Sequence, residues 1–190
     1  SLARDLRIKT KPMIIAANKI DIQGAKLNFH KLQEKFKDYL IIPCSGDSEL
    51  ALKEAAKHDL IEYIPGENNF NVKGTLNEKQ KNALEFIKKN VLNEFGSSGI
   101  QNILDKAVFE LLDYIALFPG GVNKLEDSEG NVLPDCFLMK NGSTALDFAY
   151  RLHTDFGKNF IKAIDVRTKM TVGKDHELKY KDIIELAVRK

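Results

Sequence analysis

Hydrophobic and polar residues alternate along this chain with three different periods, and each period predicts a different kind of element. Two short apolar runs, residues 13–17 and 40–43, are too brief for helices and read as buried strands. Between them, Phe29, Leu32 and Phe36 recur at helical spacing and predict a helix over 28–38. After the second run, Ser45, Asp47 and Ser48 offer N-caps for a helix reaching about Leu60, with Leu50, Ala51, Ala55 and Ala56 available for packing. Strand, helix, strand, helix is the order of a parallel, doubly wound α/β sheet. The polar residues 1–10 carry Leu2 and Leu6 at helical spacing and predict the end of a helix that feeds the first strand.

The pattern breaks at 64–69, Ile-Pro-Gly-Glu-Asn-Asn. Thr75-x-x-Glu78 then has the form of a capping box and opens a helix to Phe95, with Leu84, Ile87, Val91 and Phe95 as its stripe. Gly96-Ser97-Ser98 turns the chain, and Ser98-x-x-Gln101 predicts a second box before Ile100, Ile103, Leu104, Val108 and Leu111. This pair reads as a helical hairpin or as two linker helices. From Tyr114 the period changes again. Strands are predicted at 115–118, 136–139, 160–164, near Thr171 and Val172, and at 183–188, with one helix over 145–153 capped by Ser143 or Thr144. The expected division is therefore 1–62 (α/β), 63–112 (linker and hairpin) and 113–190 (a small α+β domain).

Composition narrows the function classes. With 190 residues, 43% of them hydrophobic, the chain can build a packed core. Its 29 Lys and Arg against 27 Asp and Glu leave a formal charge of only +2, which argues against a generic nucleic-acid sink. Cys44 and Cys136 fit no metal spacing and are expected to be free thiols in a reducing cytoplasm. No run of about 18 apolar residues occurs, so no membrane partner is expected. The four histidines are scattered, and no nucleophile, paired carboxylate or metal cluster stands out, so neither a catalytic nor a metal site is assigned.

The candidate chemistry lies just after the first strand, in Asn18-Lys19-Ile20-Asp21. Ligands of open α/β sheets sit beyond the carboxyl ends of strands. Guanine presents two adjacent donors, its ring N–H and its exocyclic amine, and one carboxylate offers two acceptors to match them. Adenine has no such pair and would leave the carboxylate unsatisfied. The Lys stem can lie against the base, and the Asn can tie loops together. Cys44-Ser45-Gly46 follows the second strand in the same relation.

N-K-x-D resembles the guanine-specificity motif of P-loop GTPases, which carry a Ser-Ala or similar pair at the position of Ser45 and Gly46, with a backbone N–H facing the guanine oxygen. The stretches Asn141-Gly142-Ser143-Thr144-Ala145-Leu146-Asp147-Phe148-Ala149-Tyr150, Leu152-His153-Thr154-Asp155-Phe156-Gly157 and Val172-Gly173-Lys174-Asp175-His176-Glu177-Leu178 resemble a TGS domain, a β-grasp module. Together these motifs resemble the C-terminal part of an Obg-like GTPase of the YchF group, most like its archaeal branch. The resemblance implies a partial P-loop GTPase domain, a linker hairpin and a TGS domain. It also implies GTP as ligand, with Asn18, Lys19, Asp21, Ser45 and Gly46 as the nucleotide-binding residues. The family has a Gly in the turn before the last strand, where Tyr180-Lys181-Asp182 stands here.

No G-x-x-x-x-G-K-[ST] loop occurs in the chain. That loop cradles the β and γ phosphates and supplies the hydroxyl for Mg²⁺. Asp127-x-x-Gly130 and Asp21-x-x-Gly24 match D-x-x-G by chance, the first in the wrong chain order and the second with its Asp already reading the base. The chain is thus expected to be a fragment of a GTPase switch, inactive alone, with RNA or the ribosome as partner of the TGS domain. The alternative is a TGS-type module that binds RNA or a regulatory ligand without any switch. The first strand, stripped of its inner neighbour, is expected to be covered by a second copy in a homodimer or by the chain's own later helices.

Overall fold

The computed structural model describes residues 2, 6, 10–127 and 129–189, so the helix expected over 1–10 lies largely outside the described residues. The chain forms two compact units, Ser1–Leu111 and Leu112–Lys190.

In the first unit β1 (Ile14–Ala17) and β2 (Leu40–Pro43) pair in parallel, from Ile14 opposite Leu40 to Ala17 opposite Pro43. Helix α1 (Ala25–Lys35) connects them. It starts three residues before the hydrophobic pattern does, because Gly24 takes a left-handed conformation that redirects the chain into the helix. Of its apolar stripe only Phe29 is buried, while Leu32 and Phe36 remain partly exposed. Phe29, Ile20 and Ile41 form a small core against which Ile15, Ala17 and Phe95 pack. No strand lies on the other edge of β1 among the described residues. The later helices contribute Phe95 to the core of this sheet.

Helix α2 (Gly46–Lys57) is capped by Ser45, whose hydroxyl oxygen accepts from the Ser48 amide. It buries Leu52 rather than Leu50, which is mostly exposed. The break at 64–69 is the connection of an antiparallel pair that periodicity did not show, β3 (Ile61–Glu62) and β4 (Asn71–Val72). Two residues per strand are too few to display alternation. Helix α3 (Glu78–Ile87) is capped by Asn77 with Gln80, not by Thr75 with Glu78. The Asn77 box places both side chains in reciprocal bonds, 2.9 Å each way. α3 continues through a π-helical stretch, Lys88–Leu92, to a last turn, Asn93–Phe95. Helix α4 (Ile100–Asp105) runs on into a second π-helical stretch, Lys106–Leu111. Its N-cap is Gly99; the Ser98 hydroxyl accepts from the Ile100 amide at 3.4 Å and donates to Glu49 at the shorter distance of 2.6 Å. A second core gathers Leu52, Ile61, Tyr63, Leu84, Ile87, Val91 and Leu92, so three residues of the expected stripe pack together, while its fourth, Phe95, packs against the first core.

The second unit is a five-stranded mixed sheet in the order β6-β5-β9-β7-β8. The strands are β5 (Tyr114–Pro119), β6 (Phe137–Lys140), β7 (Phe160–Asp165), β8 (Met170–Val172) and β9 (Ile183–Val188). β5 and β9 pair in parallel, and the other pairs are antiparallel. Helix α5 (Ala145–Leu152) lies across the sheet, capped by Thr144 and Asp147 in reciprocal bonds. Its fully buried Phe148 meets Phe137 edge to face, ring centres 6.0 Å apart. A short helix α6 (Thr154–Lys158) follows, with the His153 side chain accepting from the Asp155 amide. The core is one cluster of Ile115, Leu117, Ala145, Phe148, Ala163, Leu178 and Ile184. In the turn before β9, Lys181 adopts a φ of 67°, the left-handed conformation a glycine would supply. Its amide donates to the Ala116 carbonyl at 2.8 Å, and the Asp182 carboxylate accepts from the Lys179 amide at 2.8 Å. These bonds hold the turn without the glycine.

Candidate functional site

The two loops singled out in the sequence meet at the carboxyl ends of β1 and β2. Parallel pairing in register puts Ala17 beside Pro43, so both chains leave the sheet at the same level. The ladder extends one step beyond the strands: the Cys44 amide donates to the Ala17 carbonyl at 3.0 Å, and the Ile20 amide to the Cys44 carbonyl at 3.1 Å.

Asn18 ties the loops through its side chain. Its Oδ1 accepts from the Lys19 amide at 2.8 Å and from the Gly46 amide at 3.0 Å. The Cys44 thiol lies 3.9 Å from the same oxygen. Burial pushes the Cys44 thiol above its ordinary pKa, so it stays protonated and can donate. Lys19 is exposed and left-handed, with a φ of 63°, which swings the chain out over the loop and back to the buried Ile20. Asp21 is half-buried, and its Oδ1 is shielded from solvent with no hydrogen-bond partner. An acceptor of that kind costs free energy until a donor reaches it. A cavity of about 420 Å³ opens beside the loop, lined by Asn18, Lys19, Ile20, Asn28 and Phe29 among others. Neither Asp21 nor Ser45 lines it.

Ser45 and Gly46 are placed differently from one another. Ser45 is fully buried. Its hydroxyl donates to Ser48 Oγ at 2.8 Å and accepts from the Ser48 amide, and its own amide donates to the Ser98 carbonyl at 2.9 Å. Gly46 sits at the first turn of α2 with its amide engaged by Asn18. A Cβ at Gly46 would lie 3.7 Å from Asn18 Oδ1, an ordinary contact, so the alanine common at this place in GTPases would fit.

Behind Ser45 lies a buried group that sequence reasoning missed. Glu49, 5% exposed, accepts from the Tyr63 hydroxyl at 2.8 Å and from the Ser98 hydroxyl at 2.6 Å through Oε2. Burial, reinforced by the Glu49 carboxylate, pushes the Tyr63 phenol up to about 12. Glu49 looks like any helix-surface glutamate in the sequence, and only its donors, 14 and 49 residues away, mark it. Among the described residues no group of three or more His, Cys, Asp or Glu side chains could hold a metal ion, and no helix is long and apolar enough to cross a membrane.

Residues 16–121 match the family model of an Obg-like GTPase YGR210-like, G4 motif-containing domain, and residues 129–188 match that of the TGS domain. An uncharacterized GTP-binding protein of Methanocaldococcus jannaschii is 47% identical over 189 residues, covering 98% of this chain and 47% of that protein. A second, from Schizosaccharomyces pombe, is 34% identical over 144 residues, covering 70% of this chain and 35% of its own length. The crystal structure of a GTP binding protein from Pyrococcus horikoshii OT3 superposes with a TM-score of 0.71 at 41% identity, covering 98% of this chain and 48% of that one. The chain spans about half the length, or less, of these relatives. The first match takes in both loops tied by Asn18 and more than half of the sequence, and the chain belongs to the Obg-like GTPases of the YGR210-like, G4 motif-containing group, with a TGS domain at its C-terminal end.

Proposed function

We propose that residues 1–62 of this chain read the guanine base of GTP for a larger GTPase switch, that 63–112 link and brace that reader, and that 113–190 serve as an adaptor for RNA or the ribosome. The single observation that supports base reading most is the shielded, unpartnered Asp21 Oδ1 at the end of β1. A guanine supplies two adjacent donors, one of which would satisfy this oxygen and the other its partner in the same carboxylate. Lys19, exposed on its left-handed turn, is free to lay its stem along the base, and Asn18 holds the second loop at a fixed distance. With the Gly46 amide engaged by Asn18, the next amide of the turn, that of Asp47, is the donor this loop offers to the guanine oxygen. The reading as a TGS module alone would leave the Asn18 tie and the orphaned Asp21 oxygen without a purpose.

The test is a base-exchange titration. Xanthine keeps the ring N–H of guanine but carries a carbonyl in place of the amine, so its edge matches an amide better than a carboxylate. Wild-type chain should bind GMP more tightly than XMP by about tenfold, and Asp21→Asn should reverse the order, about 1.4 kcal/mol each way. Equal binding of both nucleotides to both proteins would exclude Asp21 as the reader. Phosphate binding and Mg²⁺ placement require groups that the sequence lacks. The chain should therefore release no phosphate from GTP above a buffer control. Turnover abolished by Asp21→Ala would refute that expectation.

A further inference from the structure

We infer that the turn between α3 and α4, residues 95–99, is a third segment of the base-recognition site, and that Ser98 and Glu49 are positioning residues for it. The inference rests on the reading of Asn18–Asp21 and Ser45–Gly46 as the base-binding loops. The turn braces both loops from behind. On one side Phe95 packs into the small core of Ile20, Phe29 and Ile41, and Ile20 is the residue between Lys19 and Asp21. The neighbouring Glu94 pairs with Lys26 of α1. On the other side the Ser98 carbonyl accepts from the Ser45 amide, and the Ser98 hydroxyl donates to Glu49 in the first turn and a half of α2. Gly99 presses directly on β2: a Cβ there would stand 2.0 Å from the Pro43 carbonyl oxygen and 2.9 Å from Cys44 Cα.

These contacts are not interchangeable with ordinary packing. Ser45 and Ser98 are both fully buried and Glu49 nearly so, and the Glu49 Oε1 has no hydrogen-bond partner, with the Lys53 ammonium 3.8 Å away. A buried carboxylate is tolerated only while its donors stay in place. One donor, Ser98, belongs to the same residue whose carbonyl holds Ser45. The orientation of the Ser45 loop is therefore set by the docked turn, and the Asn18 tie carries that orientation across to the second loop. Groups that lock a recognition loop from outside govern its affinity as much as the groups that touch ligand.

The test uses the isotope-labelled chain, with amide exchange read first in the absence of nucleotide and GMP and IMP titrated afterwards. Ser98→Ala removes the hydroxyl and keeps the backbone. It should speed exchange of the Ser45 and Gly46 amides at least tenfold, with Leu186 in the C-terminal unit unchanged. GMP and IMP share the 6-oxygen and differ in the amine, so both should weaken by one common factor of at least five, leaving their ratio intact. Asp21→Ala should instead collapse the ratio. Tyr63→Phe removes the other Glu49 donor, a hydroxyl that also interacts with Ser98, but leaves the Ser98 hydroxyl on Glu49 and the Ser98 carbonyl on the Ser45 amide, and should change loop exchange less than twofold. Glu49→Gln keeps an acceptor for both hydroxyls and should stay within twofold of wild type. Unchanged Ser45 and Gly46 exchange in Ser98→Ala, or an equal effect from Tyr63→Phe, would overturn the positioning role. If the wild-type chain shows no shift at Asn18 or Asp21 with GMP, the base-reading proposal fails and the recognition role of Ser98 fails with it. The exchange data would still show separately whether the turn holds the loop.

Discussion

The two compact units solve the problem of burying a sheet in opposite ways. The C-terminal unit lays one helix across five strands and closes on a single apolar core, with Phe148 at its centre. The N-terminal unit has a parallel pair and a separate two-residue hairpin, two apolar cores, and a buried carboxylate with two hydroxyl donors between its elements. The difference teaches that stability and site-building are separated in this chain. Apolar cores are non-directional and tolerate adjustment, whereas a buried polar node fixes geometry and fails when one member is lost.

The sharpest way to break this comparison is to separate the units. Residues 112–190 alone should retain the whole cooperative unfolding transition of the C-terminal unit, because their core and sheet partners are all internal. A thermal scan without a cooperative transition would show that the unit is not self-sufficient.

Next in size is Gly99→Ala. Gly99 has a φ of +82° and no room for a Cβ against the Pro43 carbonyl, so the substitution combines backbone strain with a collision against main chain. It should destabilise the N-terminal unit by about 3 kcal/mol or more. Denaturant unfolding followed by exchange at Leu52 and at Ile184 checks this: only Leu52 should lose protection.

The polar node also predicts a pH dependence. An unfolded tyrosine titrates near 10, and the folded Tyr63 near 12. Between those values the unfolded chain has released a proton that the folded chain still holds, so stability falls as pH rises. The contribution is fully present below pH 10 and is lost through about pH 12, at a cost of roughly 2 kcal/mol. Unfolding of the N-terminal unit measured from pH 9 to 12 should show this slope, and Tyr63→Phe should remove it. A slope that survives Tyr63→Phe would assign it to another group.

The smallest expected effect lies in the C-terminal unit and has the opposite sign. Lys181 holds a left-handed φ of 67° that costs a side-chain-bearing residue about 1 kcal/mol. Lys181→Gly should raise the stability of this unit by about 0.5 kcal/mol, the remainder being offset by the freer unfolded backbone. A loss of stability would mean that the Lys181 side chain contributes more than the strain it carries.

Much of the architecture was legible because its signals are local. The β1 and β2 runs, the α3 stripe of Leu84, Ile87 and Val91, the Thr144 cap and the strands at 114–119 and 183–188 follow from period and turn chemistry alone. So did the Asn18 tie, since an Asn after a parallel strand reaches the loop after its neighbour. The capping boxes at Thr75 and Ser98 failed for a physical reason. The S/T-x-x-E/Q pattern names a local option, and Asn77 offered a better cap while Ser98 found a buried carboxylate. β3 and β4 were too short to show a period.

The sequence alone settled the longer strands and helices, that a carboxylate follows β1 at guanine-reading spacing, and that the C-terminal strands and helix can bury one another. These depend on interactions within a few residues or on a repeating period. Only the tertiary structure decided that Asp21 Oδ1 stands shielded and unpartnered, that Ser45 is buried while Gly46 is tied to Asn18, and that Glu49, Tyr63 and Ser98 share one site. Those facts depend on where chain segments dozens of residues apart come to rest. A hydrogen bond between distant residues leaves no period in the sequence, because its energy depends on distance and angle in space and not on position along the chain.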